Sequence, residues 1–281
     1  MTVIGAIGIY NQAAIRCGST RPSVDSAPPR KVEAESMKSI RAQVLEAEQN
    51  ADLGPGQDEQ FSGYGVMGLS FSSGHVLAMR RFPVTSVGPG YTSVWLRRPS
   101  GAWTIYADAP AEFSCARYFG SALQNAVQCP VTVTWTGDTT LRVAVSGEED
   151  LTWELELGTT AITRAMSAVV GALPAPLLES RTFLKAMGTA AGPVLRAGRL
   201  GLTGSVPNRQ GFRAKPRRMW FVFRSSATLD GEDLGSLQPL RVQTKLGDFW
   251  IPQRGIFLIG ASSFDVFDPA RHLPASVHGT A

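Results

Sequence analysis

From Gly63 onward the sequence keeps a period of two, broken at short intervals by turn residues, and this limits the possible folds more than any other feature. Successive side chains of a strand point to opposite faces, so clean alternation requires one buried face and one wet face. Leu151–Leu157 is the clearest case, with Trp153, Leu155 and Leu157 on one side and Thr152, Glu154 and Glu156 on the other. Gly65–Phe71 and His75–Phe82 flank Ser72-Ser73-Gly74, which reads as a hairpin loop. Gly88-Pro89-Gly90 turns the chain into Tyr91–Arg98, and Pro99-Ser100-Gly101 folds that strand back onto Ala102–Asp108. Pro130–Thr136, Thr139–Ser146 and Leu151–Leu157 form a three-strand meander. Strand signals resume at Arg199–Val206, Phe212–Ala214, Met219–Ser225, Phe249–Ile251 and Gly255–Ile259. Turn signals roughly every 8–12 residues point to a barrel or sandwich. Helices do not alternate with strands, which disfavours parallel β/α winding. The expected fold is mainly β, an antiparallel up-and-down barrel of about ten strands spanning residues 60–262.

Two helical regions interrupt the pattern. Thr160 to Ala172 places Ile162, Met166, Val169 and Val170 on one helical face, Pro176 to Met187 supplies a second helix stopped by Gly188, and Pro193 opens a third. Together they predict a helical insertion at about residues 160–197. Ahead of the barrel, residues 31–50 read as a helix with Val32, Ile40 and Val44 as its apolar positions, stopped by Asp52-Leu53-Gly54-Pro55-Gly56. Residues 1–30, rich in Ser, Pro and Arg, are expected to be a poorly ordered extension, with Met37 an alternative start, and residues 263–281 a C-terminal tail.

Composition narrows the function classes. With 43% hydrophobic and 18% charged residues the chain can bury a sizeable core, and its net charge of +4 is a weak lean. The basic cluster Arg213, Lys215, Arg217 and Arg218 reads as a solvated loop before a strand, and no basic stripe is interleaved with aromatics, so nucleic acid is not an expected partner. Cys17, Cys115 and Cys129 form no paired framework, which suggests free thiols in a reducing, cytoplasmic setting. The longest apolar stretch, Ala165 to Leu178, contains Pro174 and Pro176 and falls short of the roughly 20 residues of a membrane span.

Few residues offer chemistry, and no nucleophile elbow, dinucleotide fingerprint or phosphate loop is present. Of three histidines, His272 and His278 lie in the tail, so no metal site is expected. His75, at the start of a strand, is a candidate acid–base group, or else a hydrogen-bonded strand-end histidine. Tyr106 and Asp108 stand two apart on one strand face, where Asp108 is either a proton donor at a cavity lip or an edge aspartate in a turn. Arg117, among apolar and aromatic neighbours, requires a carboxylate partner or a ligand oxygen. Tyr91 is a candidate to orient a ligand oxygen. Asp248 and Trp250, in the dense stretch Gly247–Gly255, line an entrance or plug the core. Trp95 and Trp220 are either pocket walls or core.

Three segments carry a family resemblance: Ser93-Val94-Trp95-Leu96-Arg97-Arg98-Pro99-Ser100-Gly101-Ala102-Trp103, Leu151–Leu157, and Phe212–Pro216 followed by Met219-Trp220. In these strand patterns, over roughly residues 60–260, the chain resembles the lipocalin-like group of carotenoid 1,2-hydratases and related natural-product cyclases. That family joins two barrels over a longer chain, whereas this sequence has room for one barrel plus helices. The resemblance implies a lipocalin-like barrel cavity for a polyketide-, polyene- or terpenoid-like molecule. It also implies hydration, dehydration or cyclisation there by one or two polar groups, without a cofactor. No catalytic residue transfers from the family. A non-catalytic carrier of a hydrophobic metabolite is the alternative, and a barrel filled by its own side chains is the third.

Overall fold

The computed structural model describes residues 38–274. Its first element is helix α1 (Ile40–Gln49), whose N-terminus is capped by the Ser39 side chain accepting from the Ala42 N–H at 3.1 Å. The rest of the helix predicted over 31–50 lies outside the described residues. Fourteen strands follow. The first eight are β1 (Glu59–Ser70), β2 (Val76–Thr85), β3 (Tyr91–Arg97), β4 (Trp103–Ala107), β5 (Asn125–Gln128), β6 (Val131–Trp135), β7 (Thr140–Val145) and β8 (Leu151–Gly158). A short helix α2 (Ala116–Phe119) lies between β4 and β5. Helices α3 (Ala161–Gly171), α4 (Ala175–Glu179) and α5 (Arg181–Leu195) separate β8 from β9 (Thr203–Ser205). The chain ends in β10 (Gly211–Leu229), β11 (Glu232–Asp233), β12 (Lys245–Leu246), β13 (Phe249–Trp250) and β14 (Ile256–Phe264).

Twelve of these strands form one sheet in the order β5-β4-β3-β2-β1-β14-β10-β8-β7-β6, with β9 and β11 pairing on β10. The mainly β expectation stands, but the simple up-and-down antiparallel barrel does not. The β4–β5 pair is parallel, β14 is inserted between β1 and β10, and the sheet curls into a half-barrel. Strands β5 and β6, at the two ends of the sheet, are consecutive in the chain. Only Cys129-Pro130 lies between them, with Cys129 N–H donating to Ala107 O at 2.9 Å and Ser146 N–H to Pro130 O at 3.2 Å.

Two of the four register shifts in the sheet put an extra residue at the places that matter most for the site. Between Val66 and Leu69 an extra residue of β1 faces β2, and between Pro216 and Arg218 one of β10 faces β14. Proline cannot donate to a ladder, and a bulge is where a central strand accepts one. Phe212–Ala214 and Met219–Ser225, read as two strands, are therefore one continuous strand kinked at Pro216. The basic cluster is part of that strand rather than a loop: Arg213 pairs with Asp58, and Lys215 with Glu179. Side chains are excluded where β1 meets β2, since a Cβ on Gly63 or Gly65 would sit 2.0 Å or 2.1 Å from the carbonyl oxygens of Arg81 and Met79.

The curl separates two cores. Its concave face collects Val94, Leu96 and Tyr106 from one arm, Leu141, Val143, Trp153 and Leu155 from the other, and Trp220 and Phe257 between them. Helix α1 closes one mouth: Ile40 and Val44 join this core, Arg41 N–H donates to Asp138 O at 3.0 Å, and Glu48 accepts from Tyr64 Oη at 3.1 Å and Arg81 Nε at 2.9 Å. On the convex face, β1–β4 are covered by the segment around α2 and by the β12–β13 hairpin, while β10 and β14 are covered by α3 and α5.

Candidate functional site

The largest buried polar group stands on the convex face. Alternation along β2 sends Leu77 and Met79 to the concave core and Ala78, Arg80 and Phe82 to the other side, so one of the neighbours Arg80 and Arg81 has to be covered. Arg80 is 5% exposed. Its Nη1 donates to Val66 O and, at 2.9 Å, to Met79 O, and Nη2 reaches Met67 O at 3.4 Å. These contacts fasten it to the β1 bulge. Its guanidinium carbon lies 5.0 Å from the Trp95 ring centroid and 5.6 Å from that of Phe249, within cation–π range. No carboxylate among the described residues pairs with it. Burial pulls the guanidinium down to about 10, which leaves it charged at neutral pH.

Around Arg80 the covering segments leave a cavity of about 140 Å³. Its walls are Trp95, Phe119 and Phe249 near the arginine, and Met166, Ala191 and Leu258 toward the helices. The aromatic walls pack on one another, Trp95 to Phe119 at 4.6 Å and Trp95 to Phe249 at 5.9 Å between centroids. Three further polar groups of the lining, Tyr91, Trp95 and Cys115, meet beside Arg80, with Ser93 behind them. Tyr91 Oη lies 3.2 Å from Cys115 Sγ, Ser93 Oγ donates to the same sulfur at 3.7 Å, and Trp95 Nε1 faces it without a hydrogen bond of ordinary geometry. Burial pushes the Cys115 thiol up despite the pull of Tyr91 and Arg80, and pushes the Tyr91 hydroxyl well up, with Cys115 adding to it. Both are therefore neutral proton carriers at pH 7. Cys115 and Cys129 are free thiols.

One edge of the cavity is held by a polar cluster. Glu59 accepts from Arg117 Nη2 at 2.6 Å, Tyr118 Oη at 2.7 Å and Gln210 Nε2 at 3.0 Å. Burial alone would raise the Glu59 carboxyl, but the hydrogen bonds from Arg117, Gln210 and Tyr118 outweigh it and hold the group below the usual carboxylate range. Tyr118 also stacks on Phe264, with centroids 3.8 Å apart. A wider groove of about 1130 Å³, lined by Arg181, Lys185, Arg196, Arg199 and Asp248, runs alongside and shares Leu200, Gly201, Leu202 and Trp250 with the cavity.

Of the residues singled out from sequence, Tyr91, Trp95 and Trp250 come together in this cavity. Trp250 is flanked by Arg199 and Lys245 at 5.1 and 5.2 Å from its ring. Arg117 finds a carboxylate, Glu59, and stands behind the wall. Asp248 is exposed and accepts from the Ser205 N–H at 3.0 Å. Trp220 faces the concave core against Phe257. His75, Tyr106 and Asp108 do not converge. His75 is at the tip of the first hairpin, with Nδ1 2.9 Å from Ser73 Oγ, and burial with the Arg98 charge lowers it. Tyr106 lies in the concave core and donates to Glu149. Asp108 is exposed and accepts from the Thr92 N–H at 2.6 Å.

The expected cavity inside the barrel is thus displaced to the other side of the sheet. Inward side chains as large as Trp153, Trp220, Phe257 and Tyr64 fill the concave face themselves. Arg80 and Cys115 were not recognised as a pair because they are 35 residues apart and meet only through α2. The signal available was local: in Val76–Phe82 every residue but Arg80 and Arg81 is apolar, so burial on both faces leaves at least one arginine inside.

No protein-family model matches the sequence, and no curated protein matches it. The resemblance to carotenoid hydratases and cyclases therefore rests on strand patterns alone. Among solved structures, acetoacetate decarboxylase from Legionella pneumophila is similar at 10% identity with a TM-score of 0.37, over 79% of this chain and 93% of that one. A likeness this slight transfers neither fold nor chemistry.

Proposed function

We propose that the protein binds a small hydrophobic molecule in the cavity between the convex face of the sheet and its helical cover. The observation that supports this is the mostly apolar, partly open space of about 140 Å³ bounded by Trp95, Phe119 and Phe249, with Arg80, Tyr91 and Cys115 grouped on one side of it. A cavity of about 150 Å³ takes a benzene-sized guest, whereas drug-sized ligands need about 300–1,000 Å³. The guest is accordingly of single-ring or short-chain size, smaller than a polyene or polyketide.

Cofactor-independent acid–base conversion of that guest is the second reading. It draws on the Tyr91–Cys115 contact of 3.2 Å, which sets two proton carriers side by side. Both are neutral, and their charged neighbour, Arg80, is a guanidinium that cannot accept a proton, so binding without chemistry is the better supported of the two.

Toluene titrated into the protein while its thermal unfolding is followed provides the test. Binding to the native state alone should raise Tm progressively with concentration, by roughly 2.7 kcal/mol of stabilisation at a hundredfold excess over Kd. A flat response to toluene, benzene and hexane would end the binding reading. Mass spectrometry on the same mixtures with ring- and chain-bearing acids, alcohols and alkenes would reveal any conversion.

A further inference from the structure

The binding reading says nothing about why a cation is buried beside an apolar cavity. A guanidinium taken out of water is costly unless a counter-charge offsets it, and among the described residues Arg80 has none. Its three backbone carbonyl partners occupy both Nη1 hydrogens and one on Nη2. The Nε–H and the remaining Nη2–H make no hydrogen bond among the described residues. Carbonyl dipoles satisfy donors but leave the net charge unbalanced.

A second donor nearby is only weakly satisfied. Trp95 is 1% exposed, yet its Nε1–H has no partner of ordinary hydrogen-bond geometry, only the weakly accepting Cys115 sulfur that it faces, and its ring is the one Arg80 lies over. Buried donors are nearly always paired. The bulge tie accounts for where the arginine is held and leaves the indole with a sulfur as its sole acceptor among the described residues. The two anionisable neighbours, Cys115 and Tyr91, are kept protonated by burial and are not the missing charge.

Deepening the binding reading, and resting on it, we propose that the guest is a monocarboxylate, its head seated between the Arg80 guanidinium and the Trp95 Nε1–H and its apolar body against Phe119 and Phe249. One fixed cation balances one negative charge, and a planar carboxylate matches two adjacent N–H groups of a guanidinium. A phosphate dianion would leave a surplus charge in an apolar space of about 140 Å³.

Calorimetric titration of the full-length protein with two matched pairs, benzoate against benzamide and hexanoate against hexanamide, decides the matter, with toluene as the uncharged reference. At neutral pH the acid of at least one pair should bind about tenfold or more tightly than its amide. Trp95→Phe, which keeps an aromatic wall but removes the N–H, should weaken the acid several-fold more than it weakens toluene. Arg80→Gln should erase the preference for acid over amide. If Arg80→Gln does not fold, the wild-type pairs and Trp95→Phe still give the answer. Toluene binding with acid and amide equal in both pairs would overturn the carboxylate assignment, leave Arg80 as a bulge tie, and let the binding reading stand. Silence from every probe would remove both.

Discussion

The two faces of this sheet are built from the same strands and end differently. The concave face is closed by side chains reaching from opposite arms of the curl, so Leu96 of β3 and Val143 of β7 belong to one core although the sheet order separates them widely. The convex face is closed by short, irregular pieces: α2, the β12–β13 hairpin, and helices α3 and α5. Regular strands facing one another interdigitate to crystal-like density, whereas separate covering segments meet at corners. A cavity with a buried arginine is found only where the cover is of the second kind among the cores described. For a curled sheet, the filled and the hollow side therefore depend on what covers each face, and the direction of curvature does not decide it.

The largest effect should come from emptying the filled side. Trp153 is 0% exposed and anchors the concave core, with its Nε1 donating to Ser225 Oγ at 2.8 Å. Trp153→Ala should cost about 3–5 kcal/mol in urea unfolding, the range for removing a buried indole. A truncation of the hollow side, Met166→Ala, should cost about 1–2 kcal/mol, because that side chain already borders empty space and gives up fewer contacts. Equal losses would mean that the two faces are packed alike.

A somewhat smaller effect tests whether the convex cover is fastened by charge. Glu59 joins β1 to Arg117 and Tyr118 of α2 and to Gln210. Glu59→Gln leaves Arg117, with 25% side-chain exposure, without its partner, and should cost on the order of 3 kcal/mol near neutral pH. The carboxyl is held below its usual value in the folded state. Its contribution is therefore complete above the unfolded pKa of about 4.3 and fades as pH falls through the lower folded value. The gap between wild type and variant should narrow as pH falls below the unfolded value. A gap that persisted unchanged in acid would assign the loss to packing.

How much of this could be read from the chain follows the same division. Leu151–Leu157 and Tyr91–Arg97 announced themselves because a half-wet or fully buried strand writes its faces into consecutive residues. The edge strand Asn125–Gln128 did not, being largely solvent-facing with only Ala126 and Val127 half-buried. Pro216 concealed the continuity of β10, since a bulge in a central strand looks the same in sequence as a strand end. Tyr91, Trp95 and Trp250 were legible as wall residues from size and strand position. Arg80 was not, because consecutive arginines in a strand do not reveal which of them is covered until α2 and Phe249 are in place. Tyr106 and Asp108 share a face only while the strand lasts. β4 ends at Ala107, and Asp108 turns outward to take the Thr92 N–H.

The smallest expected effect is the sharpest discriminator between the faces, because it adds volume rather than removing it. Ala227 of β10 is 1% exposed in the concave core, directly opposite Trp153, while Ala191 of α5 is 6% exposed and borders the cavity. Enlarging a filled site forces side chains off their rotamers, so Ala227→Leu should cost about 1–3 kcal/mol. The same three added carbons at Ala191 have about 140 Å³ to enter, and the apolar area they bury offsets most of any local shift. Ala191→Leu should therefore stay within about 1 kcal/mol of wild type while lowering or abolishing toluene binding. Two unfolding curves and one titration suffice. If Ala191→Leu were as damaging as Ala227→Leu, or left toluene binding intact, the hollow would lie elsewhere and the contrast between the faces would fall with it.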